Sequence, residues 1–168
     1  YVLTASDQTV AAGQVLTVQA NRLRPGENLT FDGSAETDGV FLIYGGQGND
    51  VLTGGAGADG FYFGQGRFGA GDVLNGGPGG NDQLGLQGDY AGVNALVFGA
   101  GQLTGIDMIA LLSASNTQFG QAGGVAAYDL TMHDGNVASG GRLVLQAKRL
   151  TATETLVFNG SAELDGRY

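Results

Sequence analysis

Between Gly45 and Tyr62 one large apolar residue recurs nine positions apart, Leu52 and then Phe61, with glycine and polar residues between them. One inward residue flanked by outward neighbours is the period of a strand about three residues long. Such a strand is too short to stand alone, so successive copies must stack into a parallel solenoid. Residues 14–31 hold two short alternating stretches, Val15-Thr17-Gln19 against Leu16-Val18-Ala20, then Leu29-Phe31 after the turn Pro25-Gly26. Leu96-Val97-Phe98 and Leu103 to Leu112 supply further strands, and Ile106, Met108 and Ala110 alternate with Asp107, Ile109 and Leu111. The run TGIDMIALL is also apolar enough for a short helix, so both readings stay open there. Residues 116–124 read as a loop. Helix signals are otherwise scarce and no linker interrupts the chain. The fold class is all-β, one continuous parallel β-solenoid.

The residues around Leu52 and Phe61 narrow this further. GGQGNDVLT and GGAGADGFY, joined directly, both fit Gly-Gly-x-Gly-x-Asp-x-U-x, with the large apolar U at Leu52 and Phe61 and the acid at Asp50 and Asp59. Glycine recurs where the turn needs positive φ or a close backbone approach. This tandem resembles the RTX, or haemolysin-type, calcium-binding nonapeptide repeat. The resemblance implies a right-handed parallel β-roll in which two nonapeptides make one coil and the glycine-rich turns lie alternately on two sides. Turns two repeats apart are then stacked about 4.7 Å apart, one strand spacing. Asp carboxylates and Gly carbonyls would face that gap. Six to eight hard oxygen ligands suit Ca²⁺ rather than zinc or copper.

The pattern decays on both sides. GAGDVLNGG keeps Asp72 and Leu74 but lacks the residue between glycine and acid; GGPGGNDQL keeps Asp82 and Leu84 but carries an extra glycine and Pro78. Upstream, GSAETDGVF keeps Asp38, puts Glu36 where a glycine belongs, and is followed by the extra residues Leu42 to Tyr44. The resemblance places metal ligands at Gly46, Gly48, Asn49 and Asp50 in the first perfect repeat and at Gly55, Gly57 and Asp59 in the second. Asp38, Asp72, Asp82, Gly77 and Gly79 are the candidates in the degenerate copies. Alternation of sides pairs Asp38 with Asp59, Asp50 with Asp72, and Asp59 with Asp82.

Composition agrees. Of 168 residues 33 are Gly and only 2 are Pro, with no Gly-x-y period, which excludes collagen. A hydrophobic share of 42% can fill a core, against disorder. The net charge of −9, with Arg67 the single base among the acids from Asp32 to Asp89, makes nucleic acid a poor partner. No apolar run approaches the roughly 20 residues of a membrane helix, and the first residues given do not read as a signal peptide. Cysteine is absent, which fits secretion and decides nothing more.

A longer repeat overlies the short one. Residues 1–41 align without gaps with 128–168, sharing Gly33/Gly160, Ser34/Ser161, Glu36/Glu163 and Asp38/Asp165 among many identities. The chain therefore reads as one unit, 1–127 with a calcium roll at about 33–90, followed by the first third of the next, 128–168. Such a segment resembles a cut from the long tandem arrays of large RTX-type bacterial proteins, exported by type I secretion through a C-terminal signal. The tail AELDGRY does not look like that signal. The resemblance implies an extracellular or cell-surface location, as in an adhesin, with neighbouring repeats as partners and end-to-end self-association of the free segment.

Other motifs yield to plainer readings. Gly64-Gln-Gly66-Arg-Phe-Gly69 spells a dinucleotide fingerprint, but GAGDVLNGGPGG after it cannot open a helix. His133, the lone histidine, cannot build a zinc site without cysteine and reads as a solvated turn residue. A paired-carboxylate hydrolase is disfavoured because every prominent acid already sits in a repeating turn, so no enzyme activity is expected. The function implied is a calcium-binding structural module that folds outside the cell. Alternatives are a non-catalytic tail of a secreted enzyme and a polysaccharide-binding solenoid. The latter would show exposed aromatics, for which Tyr62, Phe63, Phe68 and Tyr90 are candidates; core packing is the plainer reading of the four.

Overall fold

The computed structural model describes residues 1–119 and 124–168. Its strands, numbered in chain order, form three parallel sheets. The first stacks β1 (Val2–Thr4), β3 (Thr30–Asp32), β5 (Val51–Thr53), β7 (Val73–Asn75) and β11 (Leu103–Thr104), in that order. The second stacks β2 (Val15–Gln19), β4 (Val40–Tyr44), β6 (Gly60–Phe63), β8 (Gln83–Gln87), β12 (Met108–Leu112) and β14 (Val144–Gln146). Consecutive strands up to β8 alternate between these two sheets, so each strand's spatial neighbour lies two strands away in sequence. That is the winding of a solenoid, here of about six turns.

Register follows from the apolar column each sheet sends inward. Phe31, Leu52, Leu74 and Leu103 stand in line on the first sheet; Val18, Ile43, Phe61, Leu84, Ile109 and Leu145 do so on the second. A slip of one residue would turn each column toward water, so these columns fix the register of every turn. Residues 103–112 are the strands β11 and β12, not a helix, because Ile109 and Leu111 are needed as core rungs. The loop expected over 116–124 falls partly on 120–123, outside the described residues.

The third sheet is not foreshadowed by the nonapeptide pattern. After β8 the chain adds β9 (Asp89–Tyr90) and β10 (Leu96–Val97), which both pair with β13 (Ala127–Thr131), and β13 pairs with β15 (Thr155–Asn159). Tyr90 and Tyr128 are buried there with their hydroxyls spent on the carbonyls of Gly64 and Leu112, as buried tyrosines require. β13 and β15 repeat the register of β1 and β3: Leu3↔Phe31 becomes Leu130↔Phe158. The long repeat is thus a repeat of structure as well as of sequence. Tyr62, Phe63, Phe68 and Tyr90 are all buried, which leaves them as core packing and not as an exposed sugar platform. No helix among the described residues is long and apolar enough to cross a membrane.

Candidate metal centre

Each acid of the roll stands two residues before an inward apolar residue, so the strand register also stacks the acids. Asp50, Asp59, Asp72 and Asp82 are all buried, at most 2% exposed. Burying an ionised carboxylate is costly unless its oxygens are matched, and here backbone N–H groups do the matching. In the perfect repeats Asp50 Oδ2 accepts from Gly46 N–H at 2.8 Å and Asp59 Oδ2 from Gly55 N–H at 2.6 Å, four residues back in the same turn. Asp72 Oδ2 takes Gly69 N–H at 2.7 Å. The second oxygen reaches the adjacent coil: Leu29 N–H donates to Asp50, Phe41 N–H to Asp59, Asp50 N–H to Asp72, and Asp59 N–H to Asp82. Two columns of acids result, one on each side of the roll.

The pairs Asp50/Asp72 and Asp59/Asp82 form as the alternation of sides requires. Asp38 does not pair with Asp59. The extra residues Leu42 to Tyr44 lengthen β4 so that Ile43 takes the inward place opposite Phe61, which sets Phe41 beside Asp59. Asp38 is exposed and gathers instead with Asp7 and Glu36, one carboxylate oxygen of each within 4.8 Å of the others; Asp134, Glu163 and Asp165 repeat the group in the second copy. Buried Glu36 organises its turn, accepting Gly39 N–H at 3.0 Å and Val10 N–H at 3.3 Å.

The turn glycines stack over carbonyl oxygens. A Cβ on Gly57 would strike the Gly39 carbonyl oxygen, one on Gly77 that of Gly55, and one on Gly54 both the Gly76 carbonyl and Asp59 Oδ2. Gly77 and Gly79 have φ of +99° and +90°, and Gly79 lies over the Ala56 carbonyl. A Cβ on Gly48 would meet the Glu27 carbonyl and Asn28 Oδ1, and a Cβ on Gly71 the Asn49 side chain. Exposed Asn49 gives its own N–H to Asn28 Oδ1 at 2.9 Å. These gaps are therefore walled by carbonyl and carboxylate oxygens and kept clear by glycine. Such a set fits a hard cation of the Ca²⁺ type. A bound ion would supply the positive charge that two stacked carboxylates lack. Asp50, Asp59, Asp72 and Asp82 would hold it, with the stacked Gly carbonyls completing the shell.

Asp107 and Gly105 join this column, although the nonapeptide pattern passes them over. Asp82 N–H donates to Asp107 Oδ2 at 2.9 Å, so Asp107 is the next rung. The shorter signature Gly-x-Asp-x-U, shared by Gly48 to Leu52, Gly57 to Phe61, Gly80 to Leu84 and Gly105 to Ile109, identifies it. His133 is exposed and caps a 3-10 turn at Asp134–Asn136 by accepting Gly135 N–H, in keeping with its plain reading. Gly64 to Gly69 opens a turn and not a helix.

Burial holds the carboxyls of Asp59, Asp72 and Asp82 above the usual range. That of Asp59 is raised, that of Asp72 is pushed up to about 6 and that of Asp82 to about 7, desolvation outweighing their N–H bonds. The folded, metal-free chain therefore binds more protons than the unfolded one between the ordinary value of 3.8 and about 7. Its stability falls as pH rises through that interval. Bound calcium needs the carboxylates ionised, so calcium affinity should rise over the same interval. Titration calorimetry in buffers of different ionisation heat should show protons released on binding near neutral pH. Affinity flat from about pH 5.5 to 7.5 would contradict the burial argument.

A family model for the RTX calcium-binding nonapeptide repeat (four copies) matches residues 42–67, the span of both perfect repeats. No curated protein and no solved structure matches the chain. Residues 42–67 thus match RTX calcium-binding repeats, and their setting in a parallel β-solenoid fits an RTX repeat protein and supports a calcium-binding structural module.

Proposed function

We propose that this module belongs to a large secreted or cell-surface bacterial repeat protein, folds on binding calcium outside the cell, and stacks on neighbouring repeats as a non-catalytic spacer. Calcium supports the location: extracellular calcium-binding modules in general bind at roughly 10⁻⁴–10⁻³ M, a concentration that the cytosol does not reach. Export in an unfolded state and folding on arrival follow from the same affinity.

The observation that carries the stacking is the pairing of β12 with β14. β14 is the second copy's β2, and β12 covers it in register, Met108 beside Val144. Among the described residues only β4 pairs with β2, which leaves its other edge open, and Val15 on β2 is 58% exposed. By the same register a preceding unit would lay its own Met108 beside Thr17. Tyr1 and Val2 at this end, and Val157 and Leu164 at the other, are exposed apolar residues that neighbours would cover. Free chains would associate end to end through the same surfaces. The test is a protein carrying 1–127 twice ahead of 128–168. In repeat proteins stability grows with each interface, so it should unfold in one transition, several degrees above the single unit. Two separate transitions, each at the single unit's temperature, would rule the stacking out.

A further inference from the structure

We propose that the calcium column continues one turn past the nonapeptide repeats, into a site made by Asp82, Asp107 and the Gly105 carbonyl. The inference rests on the reading of the roll as calcium-binding. It concerns residues beyond the 42–67 span.

The Asp82 carboxyl is fully buried, yet its Oδ2 has no hydrogen-bond partner. In the perfect repeats the matching oxygen takes the N–H four residues back, from Gly46 or Gly55. Four residues before Asp82 stands Pro78, which has no N–H. The N–H of Gly77 is spent on Asn75 Oδ1 at 3.1 Å. The repeat's own sequence thus strips one buried carboxylate oxygen of its donor, a vacancy that ordinary folding does not tolerate cheaply.

That oxygen converges with a second acceptor. A Cβ on Gly76 would strike both Asp82 Oδ2 and the carbonyl oxygen of Gly105. The perfect repeat one turn below has the same arrangement, where a Cβ on Gly54 would strike Asp59 Oδ2 and the Gly76 carbonyl. Gly105 adopts φ +63°, open to glycine and strained for other residues. Asp107 stands beside the group on the next coil, its Oδ2 accepting Asp82 N–H. A buried, donorless carboxylate oxygen beside a carbonyl, with a second carboxylate one rung away, calls for a cation, and all-oxygen ligation favours Ca²⁺.

Calcium itself is the probe, with ions counted by equilibrium dialysis and affinities read by titration calorimetry. Asp107→Asn keeps an acceptor for Asp82 N–H, so the fold should survive. It should weaken one site at least tenfold and leave the others unchanged. In Asp82→Asn the new amide can donate to the Gly105 carbonyl. The metal-free protein should then melt higher, while the number of bound ions falls by one. A merely structural role for Asp82 predicts no such opposite signs. Because Asp82 also stands beside Asp59, Asp107→Asn is the deciding variant: unchanged ion number and affinity in it would overturn the proposal, leaving a water or a proton on Asp82 Oδ2. A native chain that takes up no calcium would overturn the parent reading, and this one with it.

Discussion

In chelator at neutral pH the roll should lose most of its β-structure, and millimolar calcium should restore it. The magnitudes come from the acid columns. Two carboxylates one strand spacing apart, about 4.7 Å, repel by roughly 1 kcal/mol in water and about 3.5 kcal/mol at an effective dielectric of 20. Asp50 with Asp72, Asp59 with Asp82, and Asp82 with Asp107 are three such neighbours joined by side-chain to backbone bonds. Without the ion they can relieve the repulsion only by taking up protons, and Asp72 at about 6 and Asp82 at about 7 are poised to do so. At neutral pH that relief is partial. Domain stability is only about 5–15 kcal/mol in total, so a penalty of several kcal/mol decides the outcome. With a Kd of about 0.1 mM, millimolar calcium adds roughly 1.4 kcal/mol per site by mass action. Far-ultraviolet circular dichroism in chelator and then in calcium is the measurement. A full β-spectrum in chelator, with the same melting temperature after calcium is added, would end the idea of a folding switch.

How far the sequence leads depends on how strictly each turn keeps its length. In the two perfect repeats the nine-residue spacing fixes both the apolar column and the acid beside it, so Asp50, Leu52, Asp59 and Phe61 fall where the pattern puts them. A change of loop length spoils this kind of inference. The residues Leu42 to Tyr44 form part of a five-residue strand, and Asp38 moves out of the column that Phe41 enters. Insertion within the turn is milder: the extra glycine before Asp82 falls in an exposed stretch, 78–80, and Asp82 still meets Asp59 because Leu84 must meet Phe61. Asp107 was hidden for the opposite reason. Its turn is too short to spell the full nonapeptide, yet Ile109 keeps the register. In the third sheet the pairing of β13 with β15 is legible as the second copy of β1 and β3, but that of β9 and β10 with β13 has no signature, since it spans long stretches of sequence and local alternation does not say with what.

Asp59→Ala should be among the most damaging single changes in the chain. The side chain is 1% exposed and holds two backbone donors, Phe41 N–H and Gly55 N–H, each at 2.6 Å. Alanine would leave both donors buried without an acceptor, at about 1–3 kcal/mol apiece. It would also remove the carboxylate at the first rung of its column and let Asp82 lose its partner charge, which acts the other way in the metal-free state. The two effects separate by condition. In chelator the lost acceptors and the relieved repulsion partly offset each other. In calcium only losses remain, so stability should fall by several kcal/mol and affinity by at least tenfold, or roughly 1.4 kcal/mol. Asp50→Ala should behave alike through Leu29 and Gly46. Asp38→Ala is the contrast: an exposed acid outside the column should leave affinity at the roll sites within about twofold of native. Calorimetric titration of the three variants, with melting curves in calcium and in chelator, tests the assignment. Native affinity in both Asp50→Ala and Asp59→Ala would show that these carboxylates are turn clamps and not ligands.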